Sequence, residues 1–207
     1  MRLAILTAAA LLSFLNFTLA RENSNPAESE HVSAAAVIRE INLARENPSL
    51  YATFVAESRP FHMIEHGRAV DEAVRFLKKA RPLPPLTLSP GMSRGAADHC
   101  AEQVDGQLGH DGSDRSSPGD RITRYGSWSA TWGENISYSR KTAREVVLAL
   151  IIDDGVRSRG HRKNIFNPKF NVAGAAFGPH ARYRTVCTID FAGGYAERAD
   201  ALVAKNP

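Results

Sequence analysis

Apolar residues recur at helical spacing early in the chain: Val37, Ile38, Ile41 and Ala44 fall on one face of a helix. Asn47-Pro48 has the form of an N-cap followed by a proline at the first helical position, which opens a second helix over residues 49–57. Val70, Ala73, Val74 and Leu77 describe a third, ended by Arg81-Pro82-Leu83-Pro84-Pro85, a stiff extended connection. Ser89-Pro90 repeats the cap-plus-proline signature and predicts a helix running through Cys100 to about Val104. From residue 106 to 133 the pattern collapses into Gly, Ser, Asp and Pro, with one short helical candidate at residues 122–125; a connection that long is expected to be a functional loop. Residues 142–152, TAREVVLALII, form a helix with a wide apolar face that ends at Asp153-Asp154-Gly155. Residues 171–177 and 182–191 alternate or run apolar around Gly178-Pro179-His180-Ala181, which predicts a β-hairpin. Helices first and a hairpin last make an α+β or layered α-β-α domain, not an alternating parallel fold.

The N-terminus adds a targeting signal. Arg2, the apolar residues 3–17 and Thr18-Leu19-Ala20 supply the three parts of a secretory leader. The expected organisation is a signal peptide at 1–20, a polar tail at 21–31, one domain at 32–195 and a C-terminal tail at 196–207. The apolar run is short and wrongly flanked for a membrane span, with an uncleaved anchor as the alternative; an exported monomer, extracellular or periplasmic, with no membrane span after cleavage is expected. Lys+Arg 26 against Asp+Glu 22 is a mild excess that argues against a nucleic-acid partner. Cys100 and Cys187 are either a single bridge, which export permits, or two buried free thiols. Neither lies in C-x-x-C spacing, which argues against redox catalysis or a cysteine zinc site.

No nucleophile elbow, phosphate loop, dinucleotide fingerprint or H-E-x-x-H motif is present. His62-Met63-Ile64-Glu65-His66 satisfies the inverted zinc-peptidase pattern, but Pro60 and Gly67 leave barely one helical turn, and a polar surface turn is the plainer explanation. A dispersed set offers more: His110 in Gly109-His110-Asp111-Gly112, Glu134 in Trp132-Gly133-Glu134-Asn135-Ile136, Asp153 or Asp154 at a helix end, and His161 in Gly160-His161-Arg162-Lys163-Asn164. Carboxylates at a helix C-terminus oppose its dipole unless a cation or donor answers them, and Arg157 and Arg159 are candidates for that answer. Among the basic residues flanking His161, Lys163 and Arg162 are expected on a solvated face, with Gly160 turning the backbone toward a cleft.

Trp132-Gly133-Glu134-Asn135-Ile136 and Gly160-His161-Arg162-Lys163-Asn164-Ile165, with Pro118-Gly119-Asp120-Arg121-Ile122 and a preceding loop histidine, resemble the CAP superfamily of cysteine-rich secretory, antigen 5 and pathogenesis-related proteins, in its single-domain bacterial form. The resemblance implies a three-layer α-β-α sandwich around a central antiparallel sheet. It also implies a cleft with two histidines and two acids: His110, Glu134, Asp153 (Asp154 being the adjacent option) and His161, with Asn135 beside them. In that cleft His110 and His161 would hold Zn2+ or another divalent cation, and Glu134 and Asp153 would orient them or act as general bases. Three departures from the family pattern are Asp for Glu at 153, Asp111 after the first histidine, and an apparent insertion over residues 58–81. The family implies a role in binding sterol, fatty acid or another lipid; the alternative is a metal-dependent hydrolase of peptides or cell-wall material. Asn135-Ile136-Ser137 is an N-glycosylation sequon whose asparagine lies in the proposed cleft, and it is read as unmodified.

Overall fold

The structure, a computed structural model, describes residues 32–58 and 67–199. The leader-like segment, the polar tail and the His62 to His66 motif lie outside the described residues. Helix α1 (Ala34–Glu46) starts where the Ser33 side chain accepts from the Ala36 amide at 3.1 Å. Helix α2 (Pro48–Glu57) follows at once; Asn47 precedes it but makes no side-chain cap, and its amide closes α1 onto Leu43. Helix α3 (Gly67–Lys79) lies in the apparent insertion, and after the proline-rich connection come strand β1 (Thr87–Leu88) and helix α4 (Pro90–Glu102), capped by the Ser89 hydroxyl. The short helix expected near residue 122 is α5 (Pro118–Thr123), closed by a capping box between Ser117 and Asp120. Helix α6 (Ala143–Ile152) has the same device from Thr142 and Glu145.

Three elements depart from the sequence reading. Residues expected to be loop form strand β2 (Gly126–Tyr138), and the stretch around His161 forms helix α7 (Gly160–Ile165). Strand β2 lies at the sheet edge, where its first half is largely exposed and interrupted by a bulge between Ser129 and Trp132, so it shows no apolar alternation. The hairpin is longer than expected: β3 (Val172–His180) turns into β4 (Arg184–Glu197), whose end lies two residues past the expected domain boundary. There Glu197 accepts from the Ser89 hydroxyl at 2.5 Å and the Gly91 amide at 2.9 Å, which fastens the strand end to α4.

The sheet order is β1-β3-β4-β2, with β4 pairing antiparallel to both neighbours and the short β1 running parallel to β3. The expected antiparallel sheet therefore carries one parallel edge. Along β4 the side chains alternate: Cys187, Ile189 and Phe191 join the large core with α1, α2, α3 and α6, whereas Val186 and Ala192 pack on the face covered by α4 and α5. The result is the three-layer α-β-α sandwich. Glycine at 174 is what lets α4 lie so close, since a Cβ there would run into the backbone of Met92 and Ser93.

The same alternation separates the cysteines. Cys187 belongs to the large core, and Cys100 on α4 sits on the opposite face with its thiol near the Thr188 hydroxyl at 3.4 Å. Both are buried free thiols with the sheet between them, which corrects the disulfide alternative.

Buried Arg45 joins the helical layer to the site-bearing loops. Its guanidinium donates to the carbonyls of Pro84, Ile165, Asn167 and Phe170 at 2.7 to 3.2 Å. Methionine in place of Arg45 fills similar volume but leaves those carbonyls short of donors. Urea unfolding of Arg45→Met is expected to show a loss of about 3 kcal/mol, and a loss below experimental error would remove this residue's structural role.

Candidate functional site

Strand β2 delivers Glu134 to the face beneath α4 and α5, with a side chain only 1% exposed. Its two oxygens have different partners. Oε1 accepts from His110 Nδ1 at 2.7 Å, and Oε2 accepts from Arg121 of α5, itself fully buried, at 2.7 Å. Arg121 also donates to the His110 carbonyl at 3.0 Å and the Ser116 carbonyl at 2.9 Å, so one guanidinium ties strand, short helix and loop together. The imidazole of His110 is half exposed, and the Glu134 hydrogen bond and charge raise its pKa above the ordinary histidine value despite partial burial.

The second histidine is held in the same manner by different elements. Helix α6 ends at Asp153, which adopts the left-handed conformation at φ 54° and turns its carboxylate toward α7. Asp153 Oδ1 accepts from His161 Nδ1 at 2.7 Å, and Oδ2 accepts from the His161 amide at 2.9 Å and the Arg162 amide at 3.3 Å. Amides of α7, with the imidazole, thus answer the carboxylate at the end of α6. Asp153, 3% exposed, is the acid that faces the histidine, and Asp154 is exposed.

The basic residues around His161 divide by role. Arg162 is buried and donates to the Ile151 and Ile152 carbonyls at 2.5 and 3.0 Å, closing the end of α6; this corrects the expectation that it is solvated. Arg159 and Arg162 both bind Glu72 of α3, at 2.6 and 3.0 Å, and these pairings hold the Glu72 carboxyl down at about 2. Arg157 and Lys163 are exposed. The positive φ falls on Arg159, at 52°, one residue before Gly160.

Two asparagines join the halves. Asn135 Nδ2 donates to the His161 carbonyl at 3.0 Å, and Asn164 Nδ2 donates to Asn135 Oδ1 at 2.9 Å and to the Glu134 carbonyl at 3.1 Å. Asn135 is completely buried, which matches its reading as an unmodified sequon. Beside His161 and Asp153 opens a groove of about 940 Å³ whose lining includes Phe54, Ile136, Leu148 and Val156 together with Arg140 and Arg144. Among the described residues no three His, Cys, Asp or Glu side chains are grouped to hold a metal by themselves. What the chain offers is an open arrangement: two imidazoles, each anchored through Nδ1, with Nε2 left as the nitrogen for a ligand.

Residues 38–191 match the sequence model of the cysteine-rich secretory protein (CAP) family. A curated relative named uncharacterized protein YkwD, from Bacillus subtilis (strain 168), is 30% identical over 158 residues, covering 75% of this chain. The match takes in 58% of that protein, so the chain spans less than two thirds of its relative's length. Among solved structures, an extracellular protein containing a SCP domain from Bacillus anthracis str. Ames shares 24% identity over 53% of this chain and 34% of that one, with a TM-score of 0.42. An outer surface protein from Borrelia burgdorferi shares 14% identity over 62% of this chain and 89% of that one, with a TM-score of 0.44.

Asp190 was not legible in the sequence. It stands directly across the strand pair from Glu134 and is 1% exposed, and among the described residues neither of its oxygens receives a hydrogen bond from a donor. Burial first, and then the charge of Glu134, push its carboxyl well above the ordinary carboxylate range, against the opposing pull of Arg121. In the unfolded chain Asp190 ionises normally, so the folded state binds the extra proton and stability falls as pH rises from the ordinary carboxylate range toward the folded value. Asparagine at 190 has no such proton to bind. Asp190→Asn is expected to be more stable than the wild type by on the order of 1 kcal/mol at pH 8, with a smaller gain at pH 5. Urea unfolding at both values tests this, and an equal difference at the two pH values would rule out a protonated Asp190.

Proposed function

The chain belongs to the cysteine-rich secretory protein family, and we propose that it is an exported binding protein whose cleft offers two carboxylate-braced imidazoles to a divalent cation such as Zn2+. The adjoining groove takes an amphipathic, lipid- or sterol-like ligand. The observation that carries this reading is the repetition of one device on unrelated elements: Glu134 on His110 and Asp153 on His161, each through Nδ1 at 2.7 Å. A carboxylate on Nδ1 fixes the tautomer and raises the basicity of Nε2, the arrangement found behind metal-bound histidines. His110 and His161 would hold the ion with solvent completing its shell, which makes the site weaker than a closed four-ligand one. A bound cation would supply positive charge and Lewis acidity for an oxygen of the ligand. Among the described residues no helix is long and apolar enough to cross a membrane, and export rests on the leader-like segment and the family.

The hydrolase reading gives Glu134 or Asp153 the task of taking a proton from water. Every oxygen of Glu134 and Asp153 already accepts a hydrogen bond, and both side chains are 1% exposed, so they serve to orient the imidazoles. This favours binding over the metal-dependent hydrolysis of peptides or cell-wall material. The groove lining gives the ligand its character, with apolar Phe54, Ile136 and Leu148 alongside the cationic Arg140 and Arg144.

The pH dependence follows from His110, whose pKa Glu134 raises. Its protonated form stabilises the fold below the ordinary histidine value, and that contribution is lost as pH rises through the folded value. Metal needs the neutral ring, so affinity runs the opposite way and falls on acidification from above the ordinary histidine range. Calorimetric titration of metal-stripped, untagged protein with Zn2+ is expected to show this fall. His110→Ala and His161→Ala should each weaken binding at least ~10-fold, with the double variant little worse than either, as one shared ion requires. Undiminished zinc uptake by the double variant would overturn the cation assignment. Native mass spectrometry for co-purified lipid tests the groove separately.

A further inference from the structure

The run from Gln107 to Asp111 that carries His110 is exposed, and nothing lies within 4 Å of where a Cβ on Gly109, whose φ is +102°, would stand. Packing does not fix this peptide, and glycine's torsions are the least restricted of any residue. Hydrogen bonds from the buried end of α4 and from β2 hold it instead. Gln103, 1% exposed, donates from Nε2 to the Gly109 carbonyl at 3.1 Å and accepts at Oε1 from the Tyr138 hydroxyl at 2.8 Å. The Tyr138 hydroxyl in turn receives the Gly109 amide at 3.4 Å, so both polar groups of this residue are held. Buried His99 meets the same carbonyl: its Nε2 lies 2.9 Å from the Gly109 oxygen and 2.6 Å from Gln103 Nε2, and its Nδ1 lies 3.1 Å from Glu102. Gln103 Nε2 always carries hydrogens and is the standing donor to the Gly109 carbonyl, while His99 Nε2 is a second donor to it in the tautomer that protonates that nitrogen.

We propose that Gln103, backed by His99 and Tyr138, is the positioning residue of the His110 imidazole. By fixing the peptide before His110 it sets the direction from which the ring meets Glu134, and hence which ring nitrogen faces the cleft. Gln103 touches no ligand in this account. Its effect on metal affinity rests on the function proposed above; its effect on the ring does not.

The test is the tautomer of His110, read from long-range proton–nitrogen correlation spectra of metal-free protein above the imidazole protonation range. In the wild type the bond to Glu134 holds the proton on Nδ1. Gln103→Leu removes the amide donor to Gly109, leaving only the His99 nitrogen at that carbonyl, and removes the acceptor for Tyr138; it is expected to release His110 to the Nε2-protonated form that free histidine prefers. His161, held by Asp153 on other elements, should keep its Nδ1 proton and serves as the internal control. Zinc affinity should fall roughly 10-fold. Gln103→Glu keeps the size and the acceptor but cannot donate to Gly109, so it should reproduce the tautomer change if the leucine variant fails to fold. An unchanged His110 tautomer in either folded variant overturns the proposal. Release of His110 in a protein that binds no zinc even as wild type overturns the metal reading and leaves the positioning role standing.

Discussion

The buried ion pair between Arg121 and Glu134 is the constraint around which the cleft is built. A carboxylate with 1% exposure beneath a sheet has no place without a paired cation, and leaving either charge alone would cost about 3–5 kcal/mol. Meeting that requirement orders everything nearby. Helix α5 has six residues, too few to stand alone, so its capping box and the Arg121 pairing keep it against β2. Gly119 permits the contact, since a Cβ there would meet the Trp132 ring. The two terminal nitrogens of Arg121 also reach the carbonyls of His110 and Ser116, so the pair that neutralises Glu134 also draws the loop over it.

The other half of the cleft solves a similar problem at a helix junction. Asp153 ends α6 in a left-handed conformation unfavourable for a residue with a Cβ, and its reward is a carboxylate that accepts two α7 amides and the His161 ring. Arg162 then binds the carbonyls that α6 leaves open, and Glu72 gathers Arg159 and Arg162 from 87 and 90 residues away. The basic character of this stretch is therefore partly internal wiring. Helix α3, which reads as an insertion, supplies the acid on which that wiring converges.

Much of this organisation was legible in the sequence, and the illegible parts share causes. The longer helices announced themselves because each buries one apolar face and several start at Ser or Thr caps or at a proline, signals that are local. Strand β2 did not, since its exposed edge residues have no reason to alternate, and α7 did not because six residues with four polar side chains carry no helical period. His110, Glu134 and His161 were visible through short motifs, but the pairing of Arg121 with Glu134, the place of Asp190 across from Glu134 and the hold of Glu72 on Arg159 and Arg162 are set by the fold. Nothing in sequence spacing couples residue 72 to 162 or 134 to 190. The choice between Asp153 and Asp154 was likewise decided by the backbone turning left-handed at the first of them. The cysteine question turned on face: Cys187 shares the parity of Ile189 and Phe191, which places it opposite α4.

The two halves also differ in how firmly they hold their imidazoles, and that difference shapes what the cleft can bind. His161 stands on a helix, is 24% exposed, and has Asp153 gripping its amide and ring together. His110 is 51% exposed on a run of chain held by hydrogen bonds to Gln103, Tyr138 and Arg121, and by His180 through the Gln107 carbonyl at 2.9 Å. Each hydrogen bond to a partly exposed group competes with water, whereas a packed helix does not face that competition. The cleft therefore joins a fixed imidazole to an adjustable one. For an ion or ligand that needed both, whatever tightened the His110 run beforehand would raise affinity without touching the ligand. Tyr138, whose hydroxyl closes the clamp on Gly109, is also part of the groove lining, so the groove and the loop that carries the first histidine share a residue.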